Sequence, residues 1–378
     1  MKYRWERVNS RPLSILLILT MFSVLVLTAP VEPVSARLFH DKPTMTKMWK
    51  DLCDTHRSRA SYESIGKSIQ GKDIWLFKIG NPHGGAIMWD GQVHGPEDAG
   101  SECGYLFAKW LLESSDSQAE RILDRNYWLF IPVVNVDNTG RQNMRRSYVL
   151  TDGTVVNAPY GVDLNRNGVT GFGHSGSGDP NDAYDYRGLY GGSEPEMQAL
   201  RHAMDKYRPK VYVNTHNGGE YLMYQGPTTA MENWIIYLYN SYASASGVPK
   251  YSSIWGSSVG GFVISDAHSF GASAWLWEII KWENISDYQT LVAQWYPRVK
   301  PMMLAMSEAA GVDGVARNAG DINVDGAVDL FDVLLLVKAL GSTTGDPNWN
   351  PEADLNLDSV IDVYDAVILA GHYGEQFR

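Results

Sequence analysis

Cysteine is scarce in this 378-residue chain, which has only Cys53 and Cys103. That excludes a disulfide-stapled scaffold and a cysteine-rich metal cluster. One bridge is possible in an exported protein, but a core of this size does not need it, and two buried thiols are the expectation. Basic residues are also in short supply: 32 Lys and Arg face 43 Asp and Glu, for a net charge of −11. Such a balance excludes a general nucleic-acid binder. Long apolar runs are missing as well, except for the fifteen residues from Leu13 to Leu27. A bilayer span needs about 20. Lys2, Arg4, Arg7 and Arg11 precede that run, and Val34-Ser35-Ala36 follows it with small residues where a signal peptidase reads. Residues 1–36 therefore read as a signal peptide cleaved after Ala36. The expected product is secreted, with no membrane span after cleavage.

What is present is apolar and aromatic: 44% hydrophobic residues, with 13 Trp and 21 Tyr. This supports one large domain and a smaller one. The negative charge is concentrated at one end. From Asn318 to Arg378 eleven acidic residues meet two basic ones, so most of the net charge lies there.

Between about Leu38 and Val312 the pattern alternates. Helices are predicted at 45–55, 102–113, 194–207, 231–245 and 288–310. Strands are predicted at 73–79, 86–89, 127–134, 210–213 and 274–279. Short apolar strands alternating with helices imply an α/β domain, a mostly parallel, mixed, twisted sheet covered by helices on both faces. Ligands of such sheets gather at the carboxyl ends of the strands. His94-Gly95-Pro96-Glu97 follows one strand, and His216 closes another in Asn214-Thr215-His216. Two imidazoles, a carboxylate and a water form a common catalytic zinc set.

With Gly161-Val162-Asp163-Leu164-Asn165-Arg166-Asn167, the chain resembles the zinc carboxypeptidases of the carboxypeptidase A type. The resemblance covers nearly all of residues 38–312. It runs in order through Ile65–Lys72, His94-x-x-Glu97, Pro132–Asp137, Ser193–Glu196, His216 and Glu278. It implies one zinc ion held by His94, Glu97 and His216, and Asp163 orienting a histidine ligand. Asn165 and Arg166 would grip the terminal carboxylate of a peptide. Glu278, on the apolar strand Trp275–Ile279, would take a proton from the attacking water and pass one to the leaving amine. The arginine that stabilises the oxyanion falls best on Arg145, in Met144-Arg145-Arg146, with Arg141 upstream if the register slips. There are departures from the pattern. No tyrosine stands where many relatives carry a mobile one over the carboxylate; Tyr251 is the nearest. Residues 265–270, around the side-chain pocket, align poorly. Between Ala36 and the first helix there is no space for a large activation domain.

The acidic end is a repeat. Asp321-x-Asn323-x-Asp325-Gly326-Ala327-x-Asp329-x-x-Asp332 recurs 33 residues later as Asp354-x-Asn356-x-Asp358-Ser359-Val360-x-Asp362-x-x-Asp365. Side-chain oxygens at positions 1, 3, 5, 9 and 12, with the carbonyl of Ala327 or Val360 at position 7, surround a calcium ion. Each copy leads into one short apolar helix, 333–340 and 366–370. The two copies resemble a type I dockerin, a small all-α calcium-binding domain. That resemblance implies two calcium ions and a cohesin domain of a scaffold protein as partner. The expected organisation is a catalytic domain at 38–312, a linker at 313–319 and a dockerin domain at 320–374. Three functional readings follow: a carboxypeptidase acting on peptides, a cell-wall D,L-peptidase or amidase, and a non-catalytic scaffold-bound binding module.

Overall fold

The computed structural model describes residues 39–285, 287–311, 320–323, 327–343, 346–350, 352–356 and 360–375. The expected signal peptide, the expected linker at 313–319 and the calcium-ligand candidates Asp325 and Asp358 lie outside the described residues.

Eight strands form one mixed sheet: β1 (Ala60–Lys67), β2 (Asp73–Gly80), β3 (Gly85–Asp90), β4 (Asn126–Ile131), β7 (Val211–His216), β8 (Tyr221–Gln225), β9 (Ile254–Ser257) and β10 (Ser273–Glu278). Their spatial order is β1-β2-β4-β3-β7-β10-β8-β9, and β5 (Ser147–Val149) and β6 (Val155–Asn157) make a separate hairpin. The central strands β4, β3, β7 and β10 run parallel. The outer pairs β1–β2, β2–β4 and β10–β8 are antiparallel. Central strands buried on both faces read as unbroken apolar runs, and Ile87, Met88 and Trp89 of β3 are all fully buried.

Helices cover both faces. On one side α1 (Lys42–Thr55), α2 (Ala99–Glu113), α3 (Ser117–Arg125), α5 (Ala230–Ala245) and α7 (Tyr296–Ala310) pack Trp49, Phe107, Ile122, Ile235 and Met303 onto Trp89, Trp128 and Trp277. On the other, α4 (Pro195–Tyr207) and α6 (Val263–Ser269) pack Leu200, Met204 and Ile264 onto Met88, Leu129 and Leu276. Cys53 and Cys103 are free, buried thiols in the first of these cores.

The expected elements appear with shifted ends. The helix predicted over 288–310 is interrupted, because a π turn at Leu291–Trp295 precedes α7, which has Pro297 in its first turn. A proline has no amide hydrogen to give and is tolerated there. Strands β1, β8 and β9 and helices α3 and α6 carry too short or too mixed a pattern to stand out in the sequence.

The C-terminal repeat folds as a repeat. Helices α8 (Leu330–Ala339) and α9 (Val363–His372) begin with the same capping box, Asp329 with Asp332 and Asp362 with Asp365. Asp332 accepts from the backbone N–H of Ile322 (2.7 Å), Asn323 (3.0 Å) and Asp329 (2.8 Å). Asp365 does the same for Leu355 (2.6 Å), Asn356 (3.1 Å) and Asp362 (2.8 Å). Each loop then pairs with the chain leaving the other helix: Val328 with Gly374 and Glu375, Ile361 with Gly341 and Ser342. Ile322, Val328, Leu336, Leu355, Ile361 and Leu369 close a small shared core. No helix among the described residues is long and apolar enough to cross a membrane.

One contact ties the fold to the cleft described below. A Cβ on Gly100, in the first turn of α2, would sit 1.8 Å from Thr215 Oγ1 at the end of β7. Gly100→Ala is expected to push the helix off the strand and destabilise the protein by about 1–3 kcal/mol. A thermal or urea unfolding midpoint equal to that of the parent would contradict this packing.

Candidate active site

The carboxyl ends of β3, β7 and β10 open into a cleft of about 680 Å³ lined by His94, Glu97, Arg141, Asn165, Arg166, Tyr184, His216, Tyr221 and Glu278, among others. His216 and Glu278 end their strands opposite each other in register. The β3 chain turns into α2 through His94 and Glu97, with the Glu97 N–H bonded back to the His94 carbonyl (3.1 Å).

Both imidazole Nδ1 atoms face the same carboxylate. His94 Nδ1 lies 2.9 Å from Glu97 Oε1, and His216 Nδ1 lies 2.7 Å from Glu97 Oε2. One ligand atom from each of the three residues falls within 4.8 Å of the others, and all three are buried. This donor set fits a divalent ion that takes nitrogen and oxygen ligands, as zinc does.

The outward nitrogens are held too. His94 Nε2 is 2.9 Å from Asp163 Oδ1. Asp163 also caps the short turn Leu164–Arg166 through the Asn165 N–H (2.8 Å) and takes Arg141 Nη2 on its other oxygen (2.8 Å). Burial pulls the His94 pKa down, but the Glu97 and Asp163 carboxylates outweigh it and lift it to about 9. Burial pushes Glu97 up, and the two imidazoles overcome it, holding Glu97 at about 2. An imidazolium–carboxylate cluster of this kind is where a dication can replace the protons. Glu278 accepts from the Gly219 N–H (3.1 Å), and burial raises its pKa despite the opposing pull of His216. A Cβ on Gly219 would stand 3.1 Å from that of Glu278 and closer still to the Tyr221 ring, so glycine permits this approach.

Two candidates change places. Arg145 does not line the cleft. Its Nε binds Glu194 Oε2 at 3.1 Å, and its guanidinium stacks on Tyr148. Glu194 is fully buried and also takes Asn143 Nδ2 (2.7 Å) and the Tyr148 hydroxyl (2.6 Å). Arg145 is thus the counter-ion of a buried anchor. The arginine beside the ligand cluster is Arg141, with Nη1 3.2 Å from His94 Nδ1 and Nε on the Tyr184 carbonyl. The four-residue offset arises because Asn143 folds inward to meet Glu194, turning the following residues away from the cleft. Tyr251 is a core residue, 3% exposed, whose hydroxyl bonds the Ile279 carbonyl (2.7 Å).

Asn165 is buried, with Oδ1 on the Val263 N–H (3.1 Å). Arg166 lies over the Phe262 ring at 4.5 Å. Next to this pair, Met223, Val259, Phe262 and Leu276 supply an apolar wall, and Gln225 clamps both backbone groups of Val259. Sequence reasoning missed that wall, and it missed Tyr184 and Trp282 at the rim. Their residue types are ordinary, and only the chain path brings them to the cleft.

A family model described as zinc carboxypeptidase matches residues 45–300. The chain belongs to this family. A second model, the dockerin type I domain, matches residues 319–372. Carboxypeptidase A1 of Bos taurus is 29% identical over 183 residues, 46% of this chain and 43% of that protein. Carboxypeptidase B of Astacus astacus is 28% identical over 198 residues, 49% of this chain and 63% of that protein. The matched segment thus spans about half the length of the curated relatives. Among solved structures, the carboxypeptidase A of Helicoverpa armigera shares the fold, with a TM-score of 0.57 and 18% identity over 79% of this chain and 81% of that one. The zinc carboxypeptidase fold thus agrees with the α/β architecture expected from the sequence.

Removing Arg145 should cost stability, because Glu194 would stay buried without its counter-ion. Arg145→Ala is expected to destabilise the protein by about 3 kcal/mol. Calorimetry checks it, and an unshifted transition would show that the pair is dispensable.

Proposed function

We propose that this chain is a secreted zinc-dependent metallocarboxypeptidase that removes C-terminal residues from peptides. Its dockerin, residues 320–374, would attach the catalytic domain, residues 38–312, to a cohesin-bearing scaffold outside the cell. The observation that carries the reading is the convergence of His94 Nδ1, His216 Nδ1 and the Glu97 carboxylate beside Glu278 in one cleft.

One zinc ion held by His94, Glu97 and His216 would act as a Lewis acid and activate water for attack on the peptide carbonyl. Glu278 takes the proton of the attacking water on its carboxylate and returns it to the leaving amine; its raised pKa suits both steps. Arg141, in place of Arg145, donates to the oxygen that gains charge in the transition state. Asn165 and Arg166 hold the terminal carboxylate, and this restricts cleavage to the last peptide bond. The wall of Met223, Val259, Phe262 and Leu276 suits an apolar terminal side chain.

Asp321, Asp332, Asp354 and Asp365 are buried carboxylates, and their repeated loops suit one calcium ion each. The proposed ligands are Asp321, Asn323, Asp325, Ala327, Asp329 and Asp332, and Asp354, Asn356, Asp358, Val360, Asp362 and Asp365.

Glu278→Gln should retain zinc and fold while losing most turnover. Arg141→Ala should lower kcat by about 100-fold, whereas folded Arg145→Ala should keep near-parent kcat. Peptidase assays with metal analysis check all three. Normal turnover by Glu278→Gln, or a larger loss in Arg145→Ala than in Arg141→Ala, would refute the assignments. Separately, calcium chelation should unfold residues 320–374 and abolish cohesin binding while peptidase activity persists. A calcium-insensitive calorimetric trace would refute the calcium reading.

A further inference from the structure

The outward nitrogen of His216 is held differently from that of His94. His216 Nε2 lies 2.6 Å from Asn214 Oδ1, and Asn214 Nδ2 lies 2.6 Å from Asp90 Oδ1. Tyr212 donates its hydroxyl to the other Asp90 oxygen. Tyr212, Asn214 and His216 alternate along β7, so the pleat puts all three on one face. Asp90 is the register neighbour of Asn214 on the adjacent parallel strand. Asp90, Tyr212 and Asn214 are fully buried. A carboxylate and an amide buried this deeply are costly unless each finds a fixed partner, and here each does.

The hydrogen-bond directions are determined. The Asp90 carboxylate only accepts, so Asn214 must turn its NH₂ toward it and its carbonyl oxygen toward His216. That oxygen can only accept, so His216 Nε2 carries a proton. Nδ1, 2.7 Å from the Glu97 carboxylate, is then the atom from which a metal ion would displace a proton. Asn165 Nδ2, 3.3 Å from the same Nε2, then meets an N–H and makes no bond there. Its hydrogens remain available to a ligand in the cleft.

We infer that Asn214, oriented by Asp90, is a positioning residue that fixes the tautomer and ring angle of His216 for metal binding. The arrangement backs one imidazole with a carboxylate, Asp163, and the other with a neutral amide whose own carboxylate stands one residue further back. Of the two outward nitrogens, only that of His94 meets a carboxylate directly. Asn214 touches neither substrate nor metal, and its effect runs through His216. The inference rests on the proposed role of His216 as a metal ligand.

Zinc affinity, measured by competition with a chromophoric chelator, tests it without reference to activity. Asn214→Ala should weaken zinc binding by about 10–100-fold. The exchange Asp90→Asn/Asn214→Asp keeps the shape and the number of hydrogen bonds, and should restore near-parent affinity. Nitrogen-15 NMR of the zinc-loaded parent, which needs no variant, should find the His216 proton on Nε2. His216→Ala separates the two ideas: if it binds zinc as tightly as the parent, the metal site and this inference both fall. If His216→Ala loses zinc while Asn214→Ala binds as the parent does, only the Asn214 inference is overturned. An exchange variant as weak as Asn214→Ala, or a proton on Nδ1 in the NMR spectrum, overturns it as well.

Discussion

Parallel pairing of β3, β7 and β10 sets the level at which three chains leave the sheet. His216 and Glu278 are in register at that level, and the β3 chain adds His94 and Glu97 within the next seven residues. Everything in the cleft depends on this alignment. In a sheet, a slip of one residue turns a side chain to the opposite face. A one-residue shift of β7 would bring Thr215 to the cleft in place of His216 and break the close approach of Thr215 to Gly100. The tight approach of α2 at Gly100 and the apolar strand interiors guard against such a slip.

A second layer of buried polar contacts then removes the remaining freedom of each side chain. Asp163 serves His94, Arg141 and its own turn at once. Glu194 gathers Asn143, Arg145 and Tyr148 and so fixes the loop that presents Arg141. These carboxylates accept several donors each, which is how a charge is kept in a dry interior without a large penalty. The cost of desolvation becomes local rigidity where the proposed chemistry needs it.

Much of this was legible in the sequence. The apolar strands announced the covered sheet, and His94, Glu97 and His216 reach one region, as their positions after or at strand ends implied; Asp163, Asn165, Arg166 and Glu278, singled out by the family resemblance, join them there. The 33-residue repeat announced the paired helices α8 and α9. Arg145 was misread because two arginines four residues apart are equivalent on paper. Which one faces the cleft is decided by Asn143 turning inward to Glu194, a contact between residues 51 apart. Asp90 and Asn214 escaped notice for a similar reason. Each is an ordinary polar residue in its own strand, and only the pairing of β3 with β7 brings them together.

The central claim is a single zinc ion held by two imidazoles through Nδ1 and by one carboxylate. X-ray absorption spectroscopy of the zinc-loaded full chain tests it most directly. The account predicts one zinc per chain in the catalytic cleft, with two histidine nitrogens and carboxylate and water oxygens at about 2.0–2.2 Å. A shell containing sulfur or lacking the imidazole signature, or a spectrum unchanged in His94→Ala and His216→Ala, would contradict it.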